Sequence, residues 1–219
     1  MDTQLEQKVA AAREALRFIN KETRLGIGSG STVDCFINLL AESAGSRGTV
    51  TAASERTARQ LETAGFKCLE TAQELDVYVD GADEIDDNRQ MLKGGGGAHT
   101  REKVLACCAR HFVCIVDDKK SVRRLGRFPL AVEVLPVARS YAARKLTALG
   151  GNPRWREGFV TDNGNWILDV SGLDLTDATT MEKNINTIAG VVENGIFSLR
   201  RADVVIVAGS GGLQVIDKR

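Results

Sequence analysis

Residues 80–102 hold the groups best suited to chemistry. They read Asp80-Gly81-Ala82-Asp83-Glu84, then Lys93-Gly94-Gly95-Gly96-Gly97, then Thr100-Arg101-Glu102-Lys103. The apolar run Leu75-Asp76-Val77-Tyr78-Val79 precedes them and reads as a buried strand, so Asp80 and Asp83 fall where a strand ends. Lys93 opens a loop so rich in glycine that backbone can come close to a ligand. Glu102 falls in the first turn of an expected helix. Acids, one cation and bare amides can move a proton on a small anion and stabilise the charge that develops.

Each of these residues also has a plainer reading. Aspartates after a strand commonly cap or solvate a loop. Burial at a strand end favours hydrogen bonding to sugar hydroxyls for Asp80 and Asp83, with a magnesium site as the alternative. The lysine and glycines read either as a mobile surface loop or as a cation facing a carbonyl-derived oxyanion. Glu102 is as well explained by the helix dipole as by a catalytic base. A second cluster, Gly28-Ser29-Gly30-Ser31-Thr32, joins a strand to a helix and offers amides and hydroxyls to an anion. It lacks the Gly-Lys-Ser/Thr ending of a P-loop. Ser31 stands where a dinucleotide fingerprint needs its third glycine, so a plain capped turn remains open.

The elements that must position these groups alternate. Helices are expected over 3–19, 32–40, 55–64 and 100–110, and strands over 24–27, 49–53, 75–79 and 112–116. That order predicts an α/β fold: a Rossmann-like parallel sheet with helices on both faces and ligands at the carboxyl ends of its strands. The loops at Gly28, Asp80 and Asp117-Asp118-Lys119-Lys120 all lie at such ends. After residue 130 the pattern becomes β-α-β-β-α-β: strand 132–135, helix 139–149, a hairpin of 159–161 with 166–170 about Asn163-Gly164, helix 177–188 and strand 191–199. This predicts a smaller ferredoxin-like α+β domain. The apolar segment 203–208 is expected to rejoin the first sheet. The division is therefore 1–130 with 201–219 as the catalytic domain, and 131–200 as the second.

Composition narrows the partners. Lysine plus arginine equals aspartate plus glutamate at 29 each, which gives no overall field for nucleic acid. No apolar run is long enough for a membrane span, and the polar, acidic start Met1-Asp2-Thr3-Gln4-Leu5-Glu6 is unlike a signal peptide. Five cysteines without a Cys-x-x-Cys pair fit a reducing, cytoplasmic setting. His99 and His111 lack zinc-type spacing, so no zinc site is expected.

Taken in order along essentially the whole chain, these motifs resemble ribose-5-phosphate isomerase type A. The similarity extends through Phe128-Pro129-Leu130, Val132-Glu133-Val134 and 160–165. The resemblance implies interconversion of ribose 5-phosphate and ribulose 5-phosphate in the pentose phosphate pathway, by a homodimer without metal or other cofactor. It implies Glu102 as the base between C1 and C2. Lys93 with the amides of Gly94, Gly95 and Gly96 would stabilise the enediolate. Asp80 and Asp83, flanking Gly81 and Ala82, would bind hydroxyls and help open the ring. Ser29, Gly30, Ser31 and Thr32, with Lys120, would line the substrate pocket. Ser29 replaces a more usual threonine, His99 a more usual apolar residue, and Gly97 lengthens the glycine run. Two other classes are weighed. A sugar-phosphate-sensing regulator would need a DNA-binding module, and the sequence has no helix-turn-helix segment for one. An NAD-dependent enzyme is weakened by the missing third glycine.

Overall fold

A computed structural model describes residues 3–43 and 48–217. Met1 and Asp2, read above as part of an acidic start, lie outside them. The chain runs α1 (Thr3–Ala15), β1 (Leu25–Ile27), α2 (Ser31–Ser43), β2 (Thr49–Ala52), α3 (Glu55–Thr63), β3 (Lys67–Leu69) and β4 (Leu75–Asp80). Two short strands follow, β5 (Glu84–Ile85) and β6 (Met91–Leu92), then α4 (His99–Cys108), β7 (Ala109–Asp117), β8 (Leu130–Val134) and α5 (Arg139–Ala148). The rest is β9 (Asn152–Trp155), β10 (Trp166–Ser171), α6 (Ala178–Asn186), β11 (Val191–Asn194), β12 (Ile196–Phe197), β13 (Val204–Gly209) and β14 (Gly212–Asp217). No helix among the described residues is long and apolar enough to cross a membrane.

Contacts group the chain into two units. The first takes in the described residues up to Ala82, Arg101–Ser121, and those from Ala202 on. Its sheet has the order β14-β13-β7-β4-β1-β2-β3, parallel except for β14. β1 is buried along its whole length, as expected of a central strand covered on both faces. Ile27, Val79, Val113 and Ile115 meet Val33, Phe36 and Ile37 of α2 and the alanines Ala11, Ala12 and Ala15 of α1 in one core. The segment near 203–208 does rejoin this sheet, as β13. The sequence reading named no strand after Gly212, where the antiparallel edge strand β14 lies.

The second unit comprises Asp83–Thr100 and Val122–Arg201. Its four-stranded antiparallel sheet has the order β11-β8-β10-β9. With α5 between β8 and β9, and α6 between β10 and β11, this is the ferredoxin-like arrangement expected from the sequence. The expected division differs from this grouping in three places: 83–100, 122–130 and Arg201 go with the second unit. The reason is a three-stranded sheet, β12-β6-β5, in which residues 84–92 pair with one another and with 196–197.

The hairpin expected at 159–170 is also corrected. β10 pairs with β9, and residues 159–161 form no strand. The Asn-Gly turn does close, through Gly164 N–H to Thr161 O at 2.9 Å. Its flank, however, is drawn into the unit by a buried acid. Glu133, on a strand otherwise wholly apolar, has no solvent exposure. Thr161 Oγ1 (2.9 Å), Asn163 Nδ2 (3.0 Å) and Asn165 Nδ2 (2.8 Å) donate to it, as does the Thr100 hydroxyl. Burial alone would push its carboxyl upward, but these four donors outweigh burial and leave it below its ordinary value. The expected strand 191–199 is likewise two, β11 and β12, broken at Gly195. There the backbone accepts from Lys93 N–H at 2.9 Å and donates to Ala131 O at 2.8 Å.

Candidate active site

In the first unit the loop after β1 lies against the end of β4. Gly28 is glycine because of a close approach: a Cβ there would stand 1.9 Å from the Asp80 carboxyl carbon. Asp80 is wholly buried. Its Oδ1 accepts from the amides of Ser29 (3.0 Å) and Gly81 (2.7 Å), and its Oδ2 accepts from the Tyr78 hydroxyl. The carbonyl of Gly28 turns the other way and accepts from Thr57 Oγ1 at 2.9 Å, at the start of α3. Thus the loop is pinned on both sides.

This pinned loop presents Ser29 to Glu102. The Ser29 hydroxyl donates to Glu102 Oε1 at 2.6 Å, and Glu102 is only 4% exposed, in the first turn of α4. A short bond between a hydroxyl and a buried carboxylate is charge-assisted and fixes the acid's direction. Ser31 and Thr32 open α2, whose first-turn amides have no partners within the helix. Lys120 is half-buried on the turn after β7, outside this hydrogen-bonded chain.

In the second unit Lys93 is 3% exposed, and its ammonium lies 5.5 Å from the centre of the Phe197 ring. A lysine on a mobile surface loop was one reading of the sequence, and the structure excludes it. Gly94 has φ +107°, a conformation that L side chains rarely adopt, and packs on Ala131 and the His99 ring. His99 is wholly buried, with Nε2 3.3 Å from Glu193 O, so its place is beneath the loop. Asp83 is half-buried, and its Oδ2 accepts the Gly95 amide at 2.8 Å.

Two holders of this region escaped sequence reasoning. The Arg156 guanidinium donates to the carbonyls of Gly94 (3.2 Å) and Gly95 (3.1 Å). Its Nε also donates to Asp169 Oδ2 at 2.8 Å, with Nη2 on Asp169 Oδ1 at 2.5 Å. Glu84, 4% exposed, accepts the amides of Gly126 and Phe128, each at 2.7 Å. No local motif marks Arg156. Glu84 lay inside the very motif read for Asp83, and Glu133 was detectable as one charge in an apolar strand. No group of three or more His, Cys, Asp or Glu able to hold a metal ion occurs among the described residues.

Known proteins give the arrangement its context. Residues 49–212 match the profile of ribose 5-phosphate isomerase A (phosphoriboisomerase A). The ribose-5-phosphate isomerase A of Dichelobacter nodosus is 55% identical over 210 residues, 95% of each chain. That of Bordetella bronchiseptica is 52% identical over 226 residues, covering each chain fully. The crystal structure of ribose 5 phosphate isomerase A from Neisseria gonorrhoeae superposes with a TM-score of 0.95 at 44% identity, over 99% of this chain and 98% of that one. A D-ribose-5-phosphate isomerase solved in complex with phospho-erythronic acid superposes at 0.93 with 35% identity, over 99% and 100%. Matched in sequence and in fold from end to end, the chain belongs to the ribose-5-phosphate isomerase A family.

Proposed function

We propose that this chain interconverts D-ribose 5-phosphate and D-ribulose 5-phosphate through an enediolate, with Glu102 as the base. The observation that carries this reading is the buried Glu102 carboxylate, directed by the Ser29 hydroxyl. Glu102 takes the proton from C2 of the open-chain aldose and returns it to C1, while the O2 hydroxyl gives up its proton and O1 gains one, leaving a C2 ketone and a C1 hydroxyl. Lys93 and the amides of Gly94 and Gly96 stabilise the oxygen that becomes negative, the Gly95 amide being held by Asp83. Arg156 supports that assignment. It holds the carbonyls of Gly94 and Gly95, and in a trans peptide the following N–H groups point the opposite way.

Asp83 is the better placed of the two aspartates to meet hydroxyls and assist ring opening, since it keeps solvent exposure. Asp80 would first have to give up three bonds inside the protein. Gly30, Ser31 and Thr32 with Lys120 anchor the phosphate end, where α2 supplies amides, while Ser29 has its hydroxyl on Glu102 and its amide on Asp80. The family relative solved with phospho-erythronic acid, a phosphorylated sugar acid, supports this substrate class.

A cytoplasmic homodimer that binds neither nucleic acid nor membrane completes the proposal. Val137, 93% exposed, and Leu135, 45% exposed, give the second unit apolar surface for another copy to cover. The regulator reading is not favoured, because relatives named as isomerases account for the whole chain. The test is to follow ribulose 5-phosphate formation from ribose 5-phosphate, with unphosphorylated ribose alongside. The phosphate should anchor and orient the sugar, so ribose should lose kcat as well as affinity. Comparable kcat/KM for the two sugars would contradict a phosphate site.

A further inference from the structure

Tyr78 has no part in the chemistry above, yet it sits one bond behind it. Tyr78 and Asp80 are two residues apart on β4, and the Tyr78 hydroxyl donates to Asp80 Oδ2. The Tyr78 ring is wholly buried, tilted against Phe112 with centroids 5.1 Å apart. Gly26 lets the phenol in: a Cβ at that position would come within 3.0 Å of the Tyr78 ring. From Tyr78 the bonds continue through Asp80 to the Ser29 amide at 3.0 Å, and from the Ser29 hydroxyl to Glu102 at 2.6 Å.

We infer that Tyr78 and Asp80 form a positioning relay for the isomerisation: Tyr78 locks the Asp80 carboxylate, Asp80 locks Ser29, and Ser29 aims Glu102. This rests on the reading of Glu102 as the base. The assignment moves Asp80 from contact with the sugar to control of the residue that aims the base. Two observations favour it over simple core filling. The acceptor of the Tyr78 hydroxyl is the same carboxylate that holds the Ser29 amide, and from Ser29 the bonds reach Glu102. Burial first, then the nearby charges of Asp80 and Glu102, push the Tyr78 phenol well above its ordinary value. It therefore stays a proton donor throughout the working pH range, as a fixed link requires.

The test is a double-mutant cycle on the full chain. Tyr78→Phe keeps the ring and removes the link, and Ser29→Ala removes the contact with Glu102. Each should lower kcat roughly 10-fold, the usual weight of one buried hydrogen bond. Tyr78→Phe should leave KM within about 2-fold, since it touches no substrate. The double variant should be no slower than the slower single one, because both cuts interrupt one chain. Ser29→Thr, which keeps the hydroxyl, should restore most of the rate. Losses that multiply in the double variant, or a Tyr78→Phe enzyme with normal kcat, would overturn the relay. If Tyr78→Phe does not fold by thermal melting, the same cycle is run with Asp80→Asn, with the same criteria. Glu102→Gln is measured in parallel: if it turns over normally, the base assignment fails, whatever the cycle shows.

Discussion

The two glycine-rich loops, at 28–32 and 93–97, are alike in composition and are held by groups of opposite charge. In the first unit a buried carboxylate, Asp80, pulls in the amide of Ser29 and leaves the Gly28 carbonyl facing Thr57. In the second a guanidinium, Arg156, pulls in the carbonyls of Gly94 and Gly95 and leaves the Gly95 amide facing Asp83. Because a trans peptide fixes C=O and N–H in opposite directions, the charge of the holder decides which backbone group a loop offers. An acid behind the first loop leaves a side-chain hydroxyl to do the work. A cation behind the second turns the next amides the other way: that of Gly95 is taken by Asp83, and that of Gly96 is the one proposed for the oxyanion. Glycine content alone says that backbone can approach a ligand; the holder says with which face.

Lys93→Ala should have the largest effect. It removes the one side-chain cation assigned to the oxyanion and should cost on the order of 10²–10³ in kcat, typical for one such donor. Steady-state kinetics with ribose 5-phosphate decides this. Normal kcat with a raised KM would place Lys93 on the phosphate instead and make Lys120 the next candidate.

Arg156→Lys tests the holder itself. A lysine cannot reproduce a planar fork that spans two carbonyls and a carboxylate. The expected loss is about 10-fold in kcat, a kcal/mol or so for lost hydrogen bonds. Full activity in a well-folded Arg156→Lys protein would break the comparison, because the second loop would then hold its direction unaided.

The smallest effects separate glycines that are needed from glycines that are merely present. In Gly28→Ala the new methyl meets Asp80 at 1.9 Å, and such overpacking costs about 1–3 kcal/mol. Around a Cβ at Gly96 nothing lies within 4 Å, so Gly96→Ala should hold its stability to within about 0.5 kcal/mol. Thermal melts of the two, at about 2–4 °C per kcal/mol for a chain of this size, read the difference directly. Equal melting temperatures would mean that Asp80 moves aside at little cost and does not lock the first loop.

Long periodic segments were legible in the sequence. The strands before Gly28 and Asp80, helices α2 and α3, and the β-α-β-β-α-β order all followed from apolar spacing and turn residues. What stayed hidden has physical reasons. β5, β6 and β12 have two residues each, too short for any period to register, and they exist only because distant residues pair with them. β9 carries Pro153, a residue that weakens any strand signal and is accommodated here at the sheet edge. Among the chemical groups, Asp80, Asp83, Lys93 and Glu102 stood in recognisable motifs. Arg156 and Tyr78 act through partners dozens of residues away or through a bond that local pattern cannot encode. Motif reading found Asp80, the holder of the first loop, but Arg156, the holder of the second, needed the fold.

The burial of Lys93 bears on when the enzyme meets a cost rather than how it reacts. A free lysine side chain loses about 1.5–2 kcal/mol of rotamer entropy when it is fixed. Here the backbone N–H of Lys93 is bound to Gly195, and its ammonium rests beside Phe197 before any sugar arrives. That ordering is completed during folding, so little remains to be done as the reaction proceeds. The protein accepts a less comfortable native state, with a cation shut away from water, and in exchange the cation needs no reorganisation when charge appears beside it. In the role proposed for it, Lys93 is closer to a fixed wall than to a flexible arm.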